Sequence, residues 1–258
     1  VTSPVGSSPD DDYHLSSIWC AGGERSGVCE VVADEPQALA VPQSVGFAHE
    51  CFAFQPAVTA ACTESLTNAL VPTQRVNNRQ GLYPSTFYRV MNLFVGDDPQ
   101  RSVLVMRMVN AIVFVALLAV ALTVLTPAIR SAVAVTTAVV LVPLGLFIIP
   151  STNPSSWTVT GVIFVWAFGL ALAQRTSWRS QRTWLLAVAT CLSAFLAIGS
   201  RVDASAFVAL VVIVVFVLTG WTRARASWIS FALLLVLATI GLVQFATFGT
   251  PGSGVSGG

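Results

Sequence analysis

The sequence predicts an all-α polytopic membrane protein, with about six spanning helices and an N-terminal, partly helical, disulfide-containing segment. Three observations predict it. Apolar runs recur at about 108–126, 131–149, 157–173, 183–199, 204–221 and 227–248, each of roughly 17 to 22 residues and able to cross a hydrocarbon core of about 30 Å at about 1.5 Å per residue. Ile112 to Leu122 and Ala206 to Leu218 are apolar all round, without the polar stripe that a buried helix of a water-soluble protein carries. Composition agrees, with 55% hydrophobic and 10% charged residues, the charges falling mostly outside those runs.

The gaps between runs set an orientation. Arg130 lies in the first gap, Arg175, Arg179 and Arg182 in the third, and Arg223 and Arg225 in the fifth, while the second has no charge and the fourth has Arg201 beside Asp203. The excess of arginine places the odd gaps in the cytoplasm and residues 1–102 outside. The expected division is therefore an extracytoplasmic loop domain at 1–102, a helical bundle at 103–249 and a Gly/Ser-rich outer tail at 250–258. An exported polar segment needs a signal, and nothing before Asp10 is apolar enough to supply one. A spanning helix upstream of Val1 is thus expected, and the tail reads as the start of a further loop.

Cysteine placement points the same way. Cys20, Cys29, Cys51 and Cys62 all fall in the segment assigned outside, an even number suited to an oxidising compartment, and Cys191 lies alone in a span. Four cysteines allow three pairings, of which Cys20 with Cys29 and Cys51 with Cys62 is the most economical. Their spacings match no usual zinc pattern, and His14 and His49 are the only histidines. Between Val31 and Asn78, four prolines punctuate short segments, and mostly loop with short helices is expected. Phe87, Val90, Met91 and Phe94 then recur at helical spacing, which predicts an interfacial helix, or a plain helix-turn connector, before the turn at Gly96-Asp97-Asp98-Pro99.

Three short motifs carry polar chemistry. Asp10, Asp11, Asp12 and His14 pack three carboxylates and an imidazole into five residues. They fit a helix cap followed by an acidic first turn, and equally a general base with a neighbour that orients it, because carboxylates this close push their pKa values apart. Ser151 to Trp157 contains Asn153, Ser155, Ser156 and Trp157, which fit a serine-capped helix start with an interfacial tryptophan, or hydrogen-bond donors aimed at an anionic head group. Ser200-Arg201-Val202-Asp203 puts two charges at the end of a span. Two positions apart on a helix they point to different sides, which leaves Arg201 for a phosphate and Asp203 for another arginine or a sugar hydroxyl, unless both simply snorkel.

Taken in order, Ser8-Pro9-Asp10-Asp11-Asp12-Tyr13-His14-Leu15, Ser17-Ile18-Trp19-Cys20, Gly96-Asp97-Asp98-Pro99 through Arg107 and Asn110, Ser151 to Trp157 and Ser200 to Ala204 cover nearly the whole chain. This arrangement resembles the actinobacterial branch of the DUF2142 family of predicted membrane proteins. That family in turn resembles the GT-C membrane glycosyltransferases, which use polyprenyl-phosphate sugars and carry a catalytic acid in the first outer loop.

The resemblance implies a GT-C-like fragment that transfers a sugar from a polyprenyl-phosphate donor to a glycan or lipid acceptor of the cell envelope. It implies Asp10 and Asp11 as catalytic carboxylates with His14 in support, and Asp12, Asn153, Ser155, Ser156, Trp157, Arg201 and Asp203 as substrate-binding residues. A divalent cation, Mg or Mn, is compatible with Asp10 and Asp11. The lipid bilayer is the expected surrounding partner and nucleic acid is not expected. The alternative is a non-catalytic transporter or scaffold for surface polysaccharide. An ion-coupled transporter is disfavoured because the spans hold no Lys, Asp or Glu away from their ends.

Overall fold

The computed structural model describes residues 3–76 and 81–248; the Gly/Ser-rich tail expected at 250–258 lies outside them. The chain divides into two compact units, Val1–Ala111 with Pro150–Ser156, and Ile112–Ile149 with Trp157–Gly258.

The first unit is built on α1 (Asp11–Cys20), whose Leu15, Ile18 and Trp19 are buried. Three short antiparallel strands follow, β1 (Glu30–Val31), β2 (Leu39–Pro42) and β3 (Leu70–Thr73), with Leu39 opposite Thr73 and Glu30 opposite Ala40. Strands of two to four residues are too short to show alternation, which is why this stretch reads as loop in the sequence. One turn of helix, α2 (Gln43–Gly46), continues from β2, and 3-10 turns occupy Ala48–Cys51 and Ala60–Ser65.

Disulfides join Cys20 to Cys29, with Cα atoms 5.3 Å apart, and Cys51 to Cys62, at 6.0 Å. The most economical pairing is the one formed. Closing a loop of about ten residues restricts the unfolded chain by roughly 2 to 3 kcal/mol. Replacing both Cys20 and Cys29 by Ser is expected to lower unfolding stability by about that amount, read as a lowered denaturation midpoint.

Helix α3 (Ser85–Asn92) forms where the periodicity predicts a helix, but its apolar face is turned inward. Phe87, Tyr88 and Met91 are buried, and Asn92 Nδ2 donates to the carbonyls of Ile18 at 2.7 Å and Trp19 at 3.2 Å. An apolar stripe by itself does not distinguish a bilayer surface from a neighbouring helix, and here α1 covers it. Helix α4 (Pro99–Val124) starts with Pro at its first position and Asp98 as its cap, Asp98 Oδ1 accepting from Arg101 N at 3.2 Å.

The second unit contains α4 from Ile112 on, the helix Ser155–Ala173 from Trp157 on and the other apolar helices. After α4 come α5 (Pro127–Val140), α6 (Pro143–Ile148), α7 (Ser155–Ala173), α8 (Gln181–Ser200), α9 (Val202–Thr219), α10 (Trp221–Ala226) and α11 (Trp228–Phe248). Among the described residues, five helices, α4, α7, α8, α9 and α11, are long and apolar enough to cross a membrane, and α5 is a shorter apolar helix. The expected run at 131–149 is therefore two pieces. Pro143 has no N–H to donate and forces Val142 into an extended conformation at φ −64°, ψ 167°, so the run ends and restarts there.

Close packing in this unit uses small residues, as it must where lipid competes for apolar faces. A Cβ on Gly161 of α7 would lie 2.6 Å from Ala197 N and Ser193 O of α8, and one on Gly241 of α11 would lie 2.6 Å from Ser205 O of α9. Val165, Ala197, Val208, Val215 and Leu234 form part of the shared core. Val188, Ile213, Val217, Leu235 and Val243 are exposed, as residues facing lipid must be.

Candidate functional site

The acidic run lies at the start of α1, and its three carboxylates go to three different places. Asp10 precedes the helix in a left-handed conformation, φ 56° and ψ 27°, with its side chain exposed and making no cap hydrogen bond. Its carbonyl accepts from the N–H groups of Tyr13 and His14, so the backbone of Asp10 holds the helix end and the carboxylate is left to solvent. A left-handed non-glycine residue costs on the order of 1 kcal/mol, and such conformations cluster at functional sites.

Asp11 is the opposite case, 1% exposed. Its carboxylate accepts from Ser8 N at 2.9 Å and Thr152 Oγ1 at 2.7 Å, and lies 3.5 Å from Arg107 Nη2. Arg107, itself buried, also donates to the Ser3 and Pro4 carbonyls and to Ser7 Oγ. Burial raises the Asp11 carboxyl above the ordinary carboxylate range, while the hydrogen bond from Thr152, the charge of Arg107 and the bonds from Ser8 pull it back down. Asp12 pairs with Arg75, whose guanidinium also lies over the Tyr13 ring.

His14 is buried, with Nδ1 2.9 Å from Tyr88 Oη and the rings of Tyr13, Tyr83 and Tyr88 around it at centroid distances of 5.2 to 6.0 Å. Tyr13 Oη is buried without a hydrogen-bond partner among the described residues. Burial, reinforced by nearby Tyr83, pushes the Tyr13 hydroxyl up to about 12, so it stays protonated.

The segment before α7 reaches the same site. Asn153 Nδ2 donates to the Pro9 carbonyl at 2.9 Å, Asn153 Oδ1 accepts from Ser155 N at 2.8 Å, and the Asn153 carbonyl accepts from Ser156 N. Asn110 Nδ2 donates to the Ser151 carbonyl at 2.7 Å. Residues separated by more than a hundred positions are thus tied into one buried polar network of Ser8, Asp11, Arg107, Asn110, Thr152 and Asn153. Ser156 is buried at the start of α7, and Trp157 packs against Phe195 in the second unit.

Arg201 and Asp203 also belong to the second unit and pair with each other, Arg201 Nε to Asp203 Oδ1 at 2.9 Å and Arg201 Nη2 to Asp203 Oδ2 at 3.1 Å. This corrects the expectation that they point apart. Arg201 is an extended residue between α8 and α9, φ −145° and ψ 148°, so helical spacing does not apply to it.

Among the described residues no three His, Cys, Asp or Glu side chains stand together as metal ligands. The Asp10 carboxylate is exposed, Asp11 is held by Ser8, Thr152 and Arg107, and Asp12 is held by Arg75, so the three carboxylates do not converge on one point. Arg107 is the site residue that composition passed over. Its signal is an arginine three residues before Asn110 at the head of an apolar run, where an ionised group must find a partner.

A disulfide-bonded polar unit and five helices able to span a bilayer make this an integral membrane protein, in contact with lipid along its exposed apolar faces. The chain belongs to the DUF2142 family of predicted membrane proteins, whose family model matches residues 1–258. No curated protein and no solved structure matches it.

Proposed function

We propose that this chain, as a member of the actinobacterial branch of its family, is a membrane glycosyltransferase of GT-C type. It moves a sugar from a polyprenyl-phosphate donor to a glycan or lipid acceptor of the cell envelope, on the outer face of the plasma membrane. The observation that carries the proposal is the exposed Asp10 carboxylate, presented by a left-handed backbone on a turn that the Asp11, Thr152 and Arg107 network holds rigid. A rigid support is what a general base requires, since misplacement by an ångström weakens proton transfer.

In this reaction an acceptor hydroxyl attacks the anomeric carbon of the donor as Asp10 takes its proton. The bond from carbon to phosphate oxygen breaks, and the lipid phosphate leaves with the electron pair. Asp11 orients the turn, and buried His14 and Tyr88 support the helix below it. In the second unit, Arg201 is held by Asp203, a pair whose side chains are 34% and 54% exposed and so open to competition from a phosphate. Asp12, Asn153, Ser155 and Ser156 complete the substrate side.

Membranes containing the chain, supplied with a radiolabelled polyprenyl-phosphate sugar and envelope acceptor, should release lipid phosphate and label the acceptor. Failure to transfer with any such donor, in protein retaining both disulfides, returns the scaffold to first place.

The outer location rests on the disulfides and on the six arginines of the odd gaps against one in the even gaps. In an Arg179→Cys, Cys191→Ser chain, a membrane-impermeant thiol reagent should label position 179 only after the cells are opened. Labelling from outside in intact cells overturns this orientation.

A further inference from the structure

Helices α8 and α11 leave a groove of about 750 Å³ between them. Trp184, Cys191 and Phe195 line it from α8, and Ile229, Leu233 and Val236 from α11. These positions recur at three, four and seven residues, so the groove follows one face of each helix instead of crossing it. From Trp184 to Phe195 it runs eleven residues, about 16 Å at about 1.5 Å per residue. Half of a hydrocarbon core of about 30 Å is about 15 Å. The groove therefore matches one leaflet, the length of an acyl chain, and is too short for a second spanning helix.

Its end is polar in a particular way. Trp178 closes the groove, edge-to-face with Trp184 at 5.2 Å, and its indole Nε1 is buried with no acceptor among the described residues. Arg175 and Arg179 flank Trp178 in the same loop, and neither forms an ion pair among the described residues. Arg182 is already used, donating to the Val124 carbonyl. Beyond Asp98 the only acid in the chain is Asp203, which is paired with Arg201. An apolar slot one leaflet long thus ends at an unsatisfied N–H, in a loop that carries Arg175 and Arg179, whose charges no acid among the described residues pairs.

We propose that this groove seats one acyl chain of an anionic phospholipid, whose phosphate accepts from Trp178 Nε1 and lies against Arg175 and Arg179. The lipid supplies the missing acceptor, the missing charge and the missing apolar surface at once. The site is independent of the glycosyltransferase proposal, since it is lined wholly by residues of the second unit and needs no sugar transfer.

The test uses the full chain in phosphatidylcholine vesicles, with tryptophan emission quenched by phospholipids carrying brominated acyl chains. Brominated phosphatidylglycerol should reach half-maximal quenching at a mole fraction about 25-fold lower than brominated phosphatidylcholine, two arginines near a membrane surface each contributing about fivefold. Arg175→Gln with Arg179→Gln should bring the two curves together. Ala232→Phe, which fills the groove and leaves the arginines in place, should remove the high-affinity quenching, as should Trp178→Phe with Trp184→Phe. Coincident curves for the two lipids in the unaltered protein overturn the proposal. So does an intermolecular Cys191 disulfide formed readily on oxidation, which would put a second copy of the chain in the groove.

Discussion

Asp10→Asn is expected to lower sugar transfer by about 10²- to 10⁴-fold, the usual contribution of a general base, without moving the unfolding transition. The substitution isolates chemistry from folding. Asparagine tolerates the left-handed conformation that Asp10 adopts at φ 56°, and the Asp10 side chain makes no cap hydrogen bond to lose. The control is Asp97→Asn. Asp97 is exposed, and its carbonyl, which the substitution leaves in place, accepts from Asn68 Nδ2. Transfer should stay within about twofold of the unaltered chain, since an exposed carboxylate away from special features contributes little. Initial rates with a labelled polyprenyl-phosphate donor decide the matter. Equal rates for the unaltered chain and Asp10→Asn would leave the enzyme without its base.

Asp11→Ala should do the reverse, costing about 3 to 5 kcal/mol of stability, the usual penalty for removing one partner of a buried ion pair. The loss has two parts. Arg107 keeps its carbonyl acceptors but loses its countercharge in a site where both side chains are almost wholly inaccessible, and Thr152 Oγ1 and Ser8 N lose their acceptor. Denaturation in detergent should show a lowered midpoint, with the fraction of bridged Cys20 and Cys29 unchanged in what folds. A transition unmoved by Asp11→Ala would remove the network from its supporting role.

The same carboxyl also sets a pH dependence. Because burial raises its folded-state pKa above the unfolded value of about 3.9, the native chain holds, at a pH between those two values, a proton that the unfolded chain has released. Its contribution is complete below the unfolded value and is lost as pH rises through the raised folded value. Asp11→Asn should flatten that decline.

Much of this molecule is legible in residue order because a bilayer makes strict demands. A helix that must satisfy every backbone group internally and present apolar side chains for about 30 Å announces itself in α4, α7, α8, α9 and α11 without knowledge of any contact. The disulfides were legible too, since two short loops in one polar segment are the least costly closure. The broken run at α5 and α6 was readable at Pro143, though an apolar average over 131–149 hides it. The inward face of α3 was not readable, because Phe87 and Met91 at helical spacing serve a bilayer surface and a packed helix equally well.

Within the acidic run, sequence alone determined that three carboxylates and an imidazole stand together at a helix start. Only the tertiary structure decided which of them is buried. Asp10, Asp11 and Asp12 are chemically identical neighbours, and what separates them is a left-handed backbone at the first, Thr152 and Arg107 converging on the second, and Arg75 on the third. For Arg201, local pattern favoured a free guanidinium, and an extended backbone between α8 and α9 paired it with Asp203. For Asp11 and Asp12 the physical reason is the same. Composition and hydropathy are sums over the residues themselves, whereas burial and charge pairing depend on partners brought from up to 141 positions away in the chain.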